Sequence, residues 1–259
     1  MVTRERPAGD VDYERQGRGY AALRRTEPRI AARVHAALGD ARTVLDVGAG
    51  SGSYEPADRW VLAVEPSAAM RAQRPAGAAP ALDATAEHLP FDDDAFDAAM
   101  AMVTIHQWPD VDRGLRELRR VSRGPVVVLT HDAPALRRFW LAEYFPDVVA
   151  LDETRFPTID HVVDVLAAAG GTVRVDVVPI PRDCVDGFGE AFWARPEAYL
   201  RAEVRGATSG FVLADQAAVQ RGVERLAADL ESGAWDRAHG HLREQDEYAG
   251  AMRLVVATP

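Results

Sequence analysis

The chain reads as an α/β protein built on a largely parallel sheet, and three features of its 259 residues carry that reading. The apolar run Val44–Val47 leads into a glycine cluster, Gly48-Ala49-Gly50-Ser51-Gly52, as a buried strand does when it turns sharply into a loop. Further short apolar runs alternate with amphipathic segments of helical period, the pattern of strand–helix–strand units whose strands lie parallel. Val126–Leu129 contains no polar residue, as expected of a central strand covered on both faces.

The elements follow in order. Residues 1–12 are polar and are expected to lack order. Tyr13 to Leu38 reads as helical with a break at Thr26-Glu27-Pro28, where Thr26 is the expected N-cap and Pro28 sits in the first turn. Ile30, Val34, Ala37 and Leu38 form its apolar face, and Gly39 stops it. Strand one is Thr43–Val47 and strand two Val61–Val64. Between them, Ser53–Arg59 is too short for three helical turns, and Pro56 is tolerated only in a first turn, so a single turn is expected. Ser67 should cap a helix through Met70 and Arg71. A short third strand falls near Ala79–Leu82 and a fourth at Ala98–Met102. Asp110 should cap a helix with Val111, Leu115, Leu118 and Val121 on its core face. After the fifth strand come an aromatic helix with Trp140, Tyr144 and Phe145, and a helix capped by Thr158 or Asp160. The latter turns Ile159, Val162, Val163 and Leu166 inward and ends at Gly170-Gly171. Val173–Val178 is strand six, and Met252–Ala257 is the strand-like run that remains.

Two strand tips outline a nucleoside site. Glycines admit positive φ and let a ligand approach the backbone. Thirteen residues beyond Gly52, strand two delivers Glu65, a carboxylate able to accept from both hydroxyls of a ribose. A dinucleotide turn has the spacing G-x-G-x-x-G, whereas here it is G-x-G-x-G with Asp46 two residues ahead. A carboxylate there repels a pyrophosphate and suits a cationic amino group. Further on come Thr85-Ala86-Glu87-His88-Leu89-Pro90-Phe91 and, after strand four, Thr104-Ile105-His106-Gln107-Trp108-Pro109-Asp110.

In this order the segments resemble the motifs of class I S-adenosylmethionine-dependent methyltransferases that act on small molecules, over roughly Tyr13 to Gly171. The resemblance implies S-adenosylmethionine as cofactor, held by Asp46, Gly48, Ala49, Gly50, Gly52, Glu65, Pro66, Thr85, Ala86 and Met102. Thr85 replaces the acid with which the family reads adenine, and its hydroxyl can still accept from an exocyclic amine. Tyr13, Arg18 and Tyr20 resemble a stretch that folds over the cofactor in some members; an amphipathic cap with solvated arginines is the alternative.

The resemblance also implies a Rossmann-like sheet of seven strands, mostly parallel, with strand seven antiparallel. In that fold strand seven follows strand six by a tight hairpin, so Pro181 to Gly250 is an insertion. It leaves from the carboxyl edge of the sheet and should form a helical roof over the active site, with Phe188, Phe192 and Trp193, a helix begun at Pro196, and one capped by Asp215. The expected organisation is a cofactor-binding core over 1–180, a lid over 181–250 and the last core strand over 251–259.

Methyl transfer from a sulfonium needs binding, in-line positioning and sometimes a base. His106 after strand four and His131-Asp132 after strand five are the candidate catalytic residues, since those strands are neighbours in this fold. A histidine near its ordinary pKa suits deprotonation of a hydroxyl, amine or acidic carbon. Equally, His106 could cap a turn and His131 could bond a backbone group. No fixed ligand spacing points to a metal. Asp183–Phe188 either presents acids to a substrate or is plain turn chemistry. Cys184 has no basic neighbour and reads as a buried thiol.

Composition narrows the classes. The net charge is −10 with no basic stretch, which argues against a nucleic-acid partner. The chain has no lysine, which removes Schiff-base chemistry, and its single cysteine removes an intrachain disulfide. Residues 1–12 lack the apolar core of a signal peptide, and no run approaches the ~20 residues that span a bilayer, so a cytoplasmic protein without a membrane partner is expected. The expected function is methyl transfer to a small, partly apolar molecule at O, N or C. Methylation of RNA or protein, and a non-catalytic sensor or assembly subunit, are the alternatives; the oligomeric state is left open.

Overall fold

A computed structural model describes residues 23–259, so the expected cover at Tyr13–Tyr20 lies outside the described residues. The main sheet contains β1 (Thr43–Val47), β2 (Trp60–Val64), β3 (Ala81–Leu82), β4 (Ala98–Met102), β5 (Val126–His131), β6 (Thr172–Val177) and β9 (Met252–Thr258). Their order across the sheet is β3-β2-β1-β4-β5-β9-β6. β1 pairs in parallel with β2 and β4, β2 with β3, and β4 with β5. β9 runs antiparallel to both β5 and β6, so only the last strand is reversed. The chain steps outward from β1 to β3 and then returns past β1 to β4. That reversal leaves a crevice at the carboxyl ends of β1 and β4, where open α/β sheets bind ligands.

Alternation along the strands divides the sheet into two faces. Leu45, Val47, Ala99, Ala101, Val126 and Val128 pack on one side against Leu115, Leu118 and Val121 of α3 (Val111–Val121) and Val162 and Leu166 of α7 (Ile159–Ala167). On the other side Val44, Met100, Val127, Leu129 and Val256 meet Ile30 and Val34 of α1 (Pro28–Ala37) together with the residues after β5 and most of the insertion. All six residues of β5 are buried, as its apolar run requires. Side-chain caps fix the helix starts: Ser67 for α2 (Ala68–Arg71), Asp110 for α3 and Thr158 for α7.

Three local expectations are corrected. Glu27, not Thr26, caps α1, its side chain accepting from the Arg29 N–H. Thr26 instead accepts from the N–H of Tyr54 at 3.0 Å. Ser53–Arg59 forms turns without a helical turn, since Pro56 has no N–H to contribute and Tyr54 takes φ 69°. The aromatic helix after β5 is broken into α4 (Ala133–Leu136), α5 (Leu141–Tyr144) and α6 (Pro146–Arg155), with Pro146 opening the last.

The insertion is pinned at its base by a two-stranded ribbon, β7 (Ile180–Pro181) against β8 (Glu247–Tyr248). It carries α8 (Ala202–Gly206), α9 (Ser209–Leu213), α10 (Gln216–Glu231, capped by Asp215) and α11 (Ala234–His239). Phe188–Arg195 is a series of turns, not the helix its aromatic spacing suggests. Trp193 is fully buried: its indole N–H donates to Ile180 O at 3.1 Å, and its own carbonyl accepts from Trp140 at 2.8 Å. Trp140 also meets Tyr199 and Trp235 edge-on, with centroids 5.5 and 5.4 Å apart. Such ring pairs add roughly 0.5–1.5 kcal/mol each beyond area burial. The insertion therefore shares one core with the sheet face it covers.

Candidate active site

A cleft of about 860 Å³, including the part open to solvent, lies over the carboxyl ends of β1, β2 and β4. Gly48, Ala49 and Gly50 form its floor, Glu65, Pro66 and Met70 one wall, and Thr85, Ala86, Met102 and Trp108 the other. Gly48 has φ 70°, and a Cβ there would lie 2.2 Å from Oγ1 of Thr104, so only glycine lets the turn pack against the loop after β4. Glu65 is 6% exposed; its Oε2 accepts from Gly50 N–H and its Oε1 from Ser67 N–H, both at 2.8 Å. Burial raises its pKa, against the pull of those two donors. One lone pair on each oxygen remains for a diol.

Eight of the ten expected cofactor residues line this cleft: Gly48, Ala49, Gly50, Glu65, Pro66, Thr85, Ala86 and Met102. Gly52 and Asp46 do not. Gly52 completes the turn beyond the floor, with φ 93° and Arg74 beside it. Asp46 is 1% exposed, and the side chain of Glu55 stands within hydrogen-bonding reach of its carboxyl group. Burial, with Glu55 close by, raises its pKa well above the usual carboxylate range. Asp46 thus lies beneath the glycine loop and not in the cavity wall.

A second cavity of about 540 Å³, again including the part open to solvent, adjoins the first. Its lining includes His106 and His131 from the sheet edge, Phe156 from beyond α6, and Phe188, Glu190 and Thr208 from the insertion. Phe156 lies against His106 with centroids 4.2 Å apart and edge-on to His131 at 5.3 Å. Burial holds both imidazoles neutral: it drives His106 well below the ordinary value and His131 down to about 3, helped by the positive charges of Arg155 and of Arg24 and Arg253 respectively. Asp132 lines neither cavity; its Oδ2 accepts from Arg253 at 3.0 Å. The expected cluster of three is therefore a pair of histidines. Cys184 is buried and its thiol is pushed up to about 12, which suits packing and not attack.

Two residues line both cavities, Arg24 and Val103. Val103 takes φ 51°, rare for a β-branched residue, with its N–H donating to Leu129 O at 2.7 Å. Arg24 Nε donates to Oδ1 of Asp186 at 2.8 Å, and the Tyr54 hydroxyl donates to its Oδ2 at 2.7 Å. Asp186 is 1% exposed, so the polar half of Asp183–Phe188 is structural at Asp186 and solvent-facing at Asp183. This triad ties the glycine loop to the insertion at the junction of the cavities. No local motif announces Arg24, Phe156, Glu190 or Thr208, because four separate segments meet there only through the fold.

Comparison with known proteins places this geometry. The profile of the methyltransferase domain family matches residues 45–128. A solved structure from Anabaena variabilis ATCC 29413, assigned as a methyltransferase from an antibiotic biosynthesis pathway, is 33% identical with a TM-score of 0.86, covering 92% of this chain and 100% of that one. The chain belongs to the class I S-adenosylmethionine-dependent methyltransferases. Among curated methyltransferases, the 2-methyl-6-phytyl-1,4-hydroquinone enzyme of Spinacia oleracea is 30% identical over 49% of this chain and 38% of its own. The demethylmenaquinone enzyme of Mycolicibacterium paratuberculosis is 32% identical over 41% of this chain and 49% of its own. The chain thus spans less than half the length of these two relatives. S-adenosylmethionine is the methyl donor of this methyltransferase. The buried Glu65 carboxylate facing the first cleft fits a ribose, and the buried acidic pair of Asp46 and Glu55 beneath its floor fits a cationic amino acid end. Among the described residues, no helix is long and apolar enough to cross a membrane.

Proposed function

We propose that the protein methylates a small, partly apolar acceptor carrying an aromatic hydroxyl, held in the second cavity while the cofactor fills the first. The observation that carries this reading is the junction: two cavities meet at Arg24 and Val103, so a methyl group at the inner end of one opens onto the other. Phe156 and Phe188 offer apolar ring faces, and the two neutral imidazoles offer hydrogen-bond partners for a hydroxyl. Of the charged groups that line the second cavity, Arg24 is matched by Asp186 and Asp152 by Arg155, while burial raises Glu190 toward neutrality, which favours an acceptor that binds uncharged. The hydroquinone named for one relative carries aromatic hydroxyls, and the quinone named for another is the oxidised form of that chemical class. In-line positioning supplies most of the rate in such a site. Burial leaves the histidines able to accept a hydrogen bond but penalises the imidazolium, so they orient the hydroxyl more readily than they hold its proton.

The test is turnover of labelled S-adenosylmethionine against a panel of hydroquinones, phenols, amines and a bulk RNA fraction. Label passing to a hydroquinone or phenol supports the reading; label passing only to RNA or an amine overturns it. Phe156→Ala should raise the acceptor KM about tenfold with the cofactor Kd unchanged, from the loss of one buried ring contact.

A further inference from the structure

Glu190 is the one buried carboxylate lining the second cavity among the described residues. It lies on the insertion, 1% exposed, next to Gly189, whose carbonyl accepts from the Tyr199 hydroxyl. Both of its oxygens share a single donor, the N–H of Ala251, at 3.0 Å each. A carboxylate offers about four acceptor positions, so one shared N–H leaves most of that capacity unused in a site away from water. A Cβ on Gly250 would lie 2.3 Å from Oε1, so the backbone before β9 fixes where the group sits.

From this placement we infer that Glu190 is the general base of the reaction, taking the proton of an acceptor hydroxyl in the second cavity. The inference rests on that cavity's being the acceptor site. In the step it performs, the acceptor O–H bond breaks, the proton passes to a Glu190 oxygen and the bonding pair stays on the acceptor. The acceptor's electron pair then forms the new bond to the methyl carbon as the carbon–sulfur bond breaks, and that bond's pair remains on sulfur as a neutral thioether. A phenolate and a sulfonium are consumed together, so no net charge is left in the cavity.

The surroundings tune the group for this. Burial pushes Glu190 up to about 7, with the Ala251 bond and Arg253 pulling it down and Asp132 pushing it up. Arg253 is itself engaged by Asp132 and by the carbonyls of Gly250 and Met252. Of the other groups facing Glu190, Tyr199 and Tyr248 are raised above the ordinary tyrosine value and stay neutral. The other titratable or charged groups in the lining are His131, His106, Arg24 and Asp152, the last paired with Arg155. A base near neutrality accepts a proton and releases it again at working pH.

Glu190→Gln preserves an oxygen for the Ala251 N–H, and the test compares it with the unaltered protein. With methylhydroquinone as acceptor, turnover should fall ~10²–10⁴-fold and the acid limb near pH 7 should vanish, with cofactor and acceptor Kd unchanged. In protein without cofactor, the infrared difference between the two should show a carboxyl group titrating near pH 7. Unaltered turnover, or a loss that tracks a fall in Tm with the pH profile unmoved, overturns the role and leaves Glu190 as a brace for Gly250-Ala251. Phe156→Ala separates the two readings. If it leaves methylhydroquinone binding intact, the acceptor lies elsewhere; if it weakens binding while Glu190→Gln keeps the acid limb, only the proton transfer fails.

Discussion

Glu65 does two things with one carboxylate. It ties the glycine loop to the start of α2 through Gly50 and Ser67, and it presents its remaining lone pairs to the cleft. Glu65→Ala removes hydrogen bonds to a charged group, ~1.5–3 kcal/mol, so the cofactor Kd should rise about 10- to 150-fold by calorimetry. An unchanged Kd would mean that the ribose lies elsewhere. His106 should behave differently. As a neutral partner of an acceptor hydroxyl it contributes about one ordinary hydrogen bond, ~1 kcal/mol, so His106→Gln should slow turnover about fivefold with the acid limb intact. A loss of ~10²-fold or more together with the acid limb would return the base to His106 and remove it from Glu190. The contrast comes from burial: the same desolvation that lifts a carboxylate toward neutrality drives an imidazole away from it.

Among elements, the β1 turn shows what packing adds to backbone preference. Gly39 and Gly48 both sit at positive φ, 57° and 70°, but a Cβ on Gly39 meets nothing within 4 Å while one on Gly48 strikes Thr104. Gly39→Ala should cost ~1–2 kcal/mol in urea unfolding, the left-handed backbone penalty alone. Gly48→Ala should cost more than that and abolish cofactor binding, because the turn must part from the loop after β4; equal costs would show that this contact yields freely. This turn was legible from sequence because glycine spacing and a following acid are local signals. So were the caps at Ser67, Asp110, Thr158 and Asp215, each a short polar side chain reaching a nearby N–H. The segment around Tyr54 was not: its conformation is set by Thr26, distant in sequence, and by Asp186 from the insertion. Phe188–Arg195 misled for a related reason. Its aromatic spacing mimics a helix, yet these rings are placed one by one against the rest of the aromatic core.

For the whole molecule, the mostly parallel sheet with its last strand reversed followed from the family resemblance that the motifs carry, but the second cavity did not, since its walls come from six chain segments. Its formation has a global consequence. His131 is buried with a folded pKa of about 3, against about 6.5 in an unfolded chain, and His106 is depressed in the same sense. As pH falls below about 6.5, the unfolded chain binds protons that the native state refuses, so native stability drops until pH nears 3. Glu190 opposes this: its raised pKa means the native state keeps a proton that the unfolded chain releases above about 4.5, so stability is lost as pH rises toward 7. Asp46 and Glu65 act in the same direction as Glu190. The raw pH profile is thus a difference of opposing slopes, and only a comparison isolates one group. The stability gap between the unaltered protein and His131→Gln should be constant above about pH 7.5. From pH 7 to pH 5 it should shift by roughly 1–2 kcal/mol in favour of the variant, which has no proton to refuse. Parallel unfolding free energies across that range would show that His131 reaches water in the native state, and the second cavity would then be wetter than its aromatic lining implies.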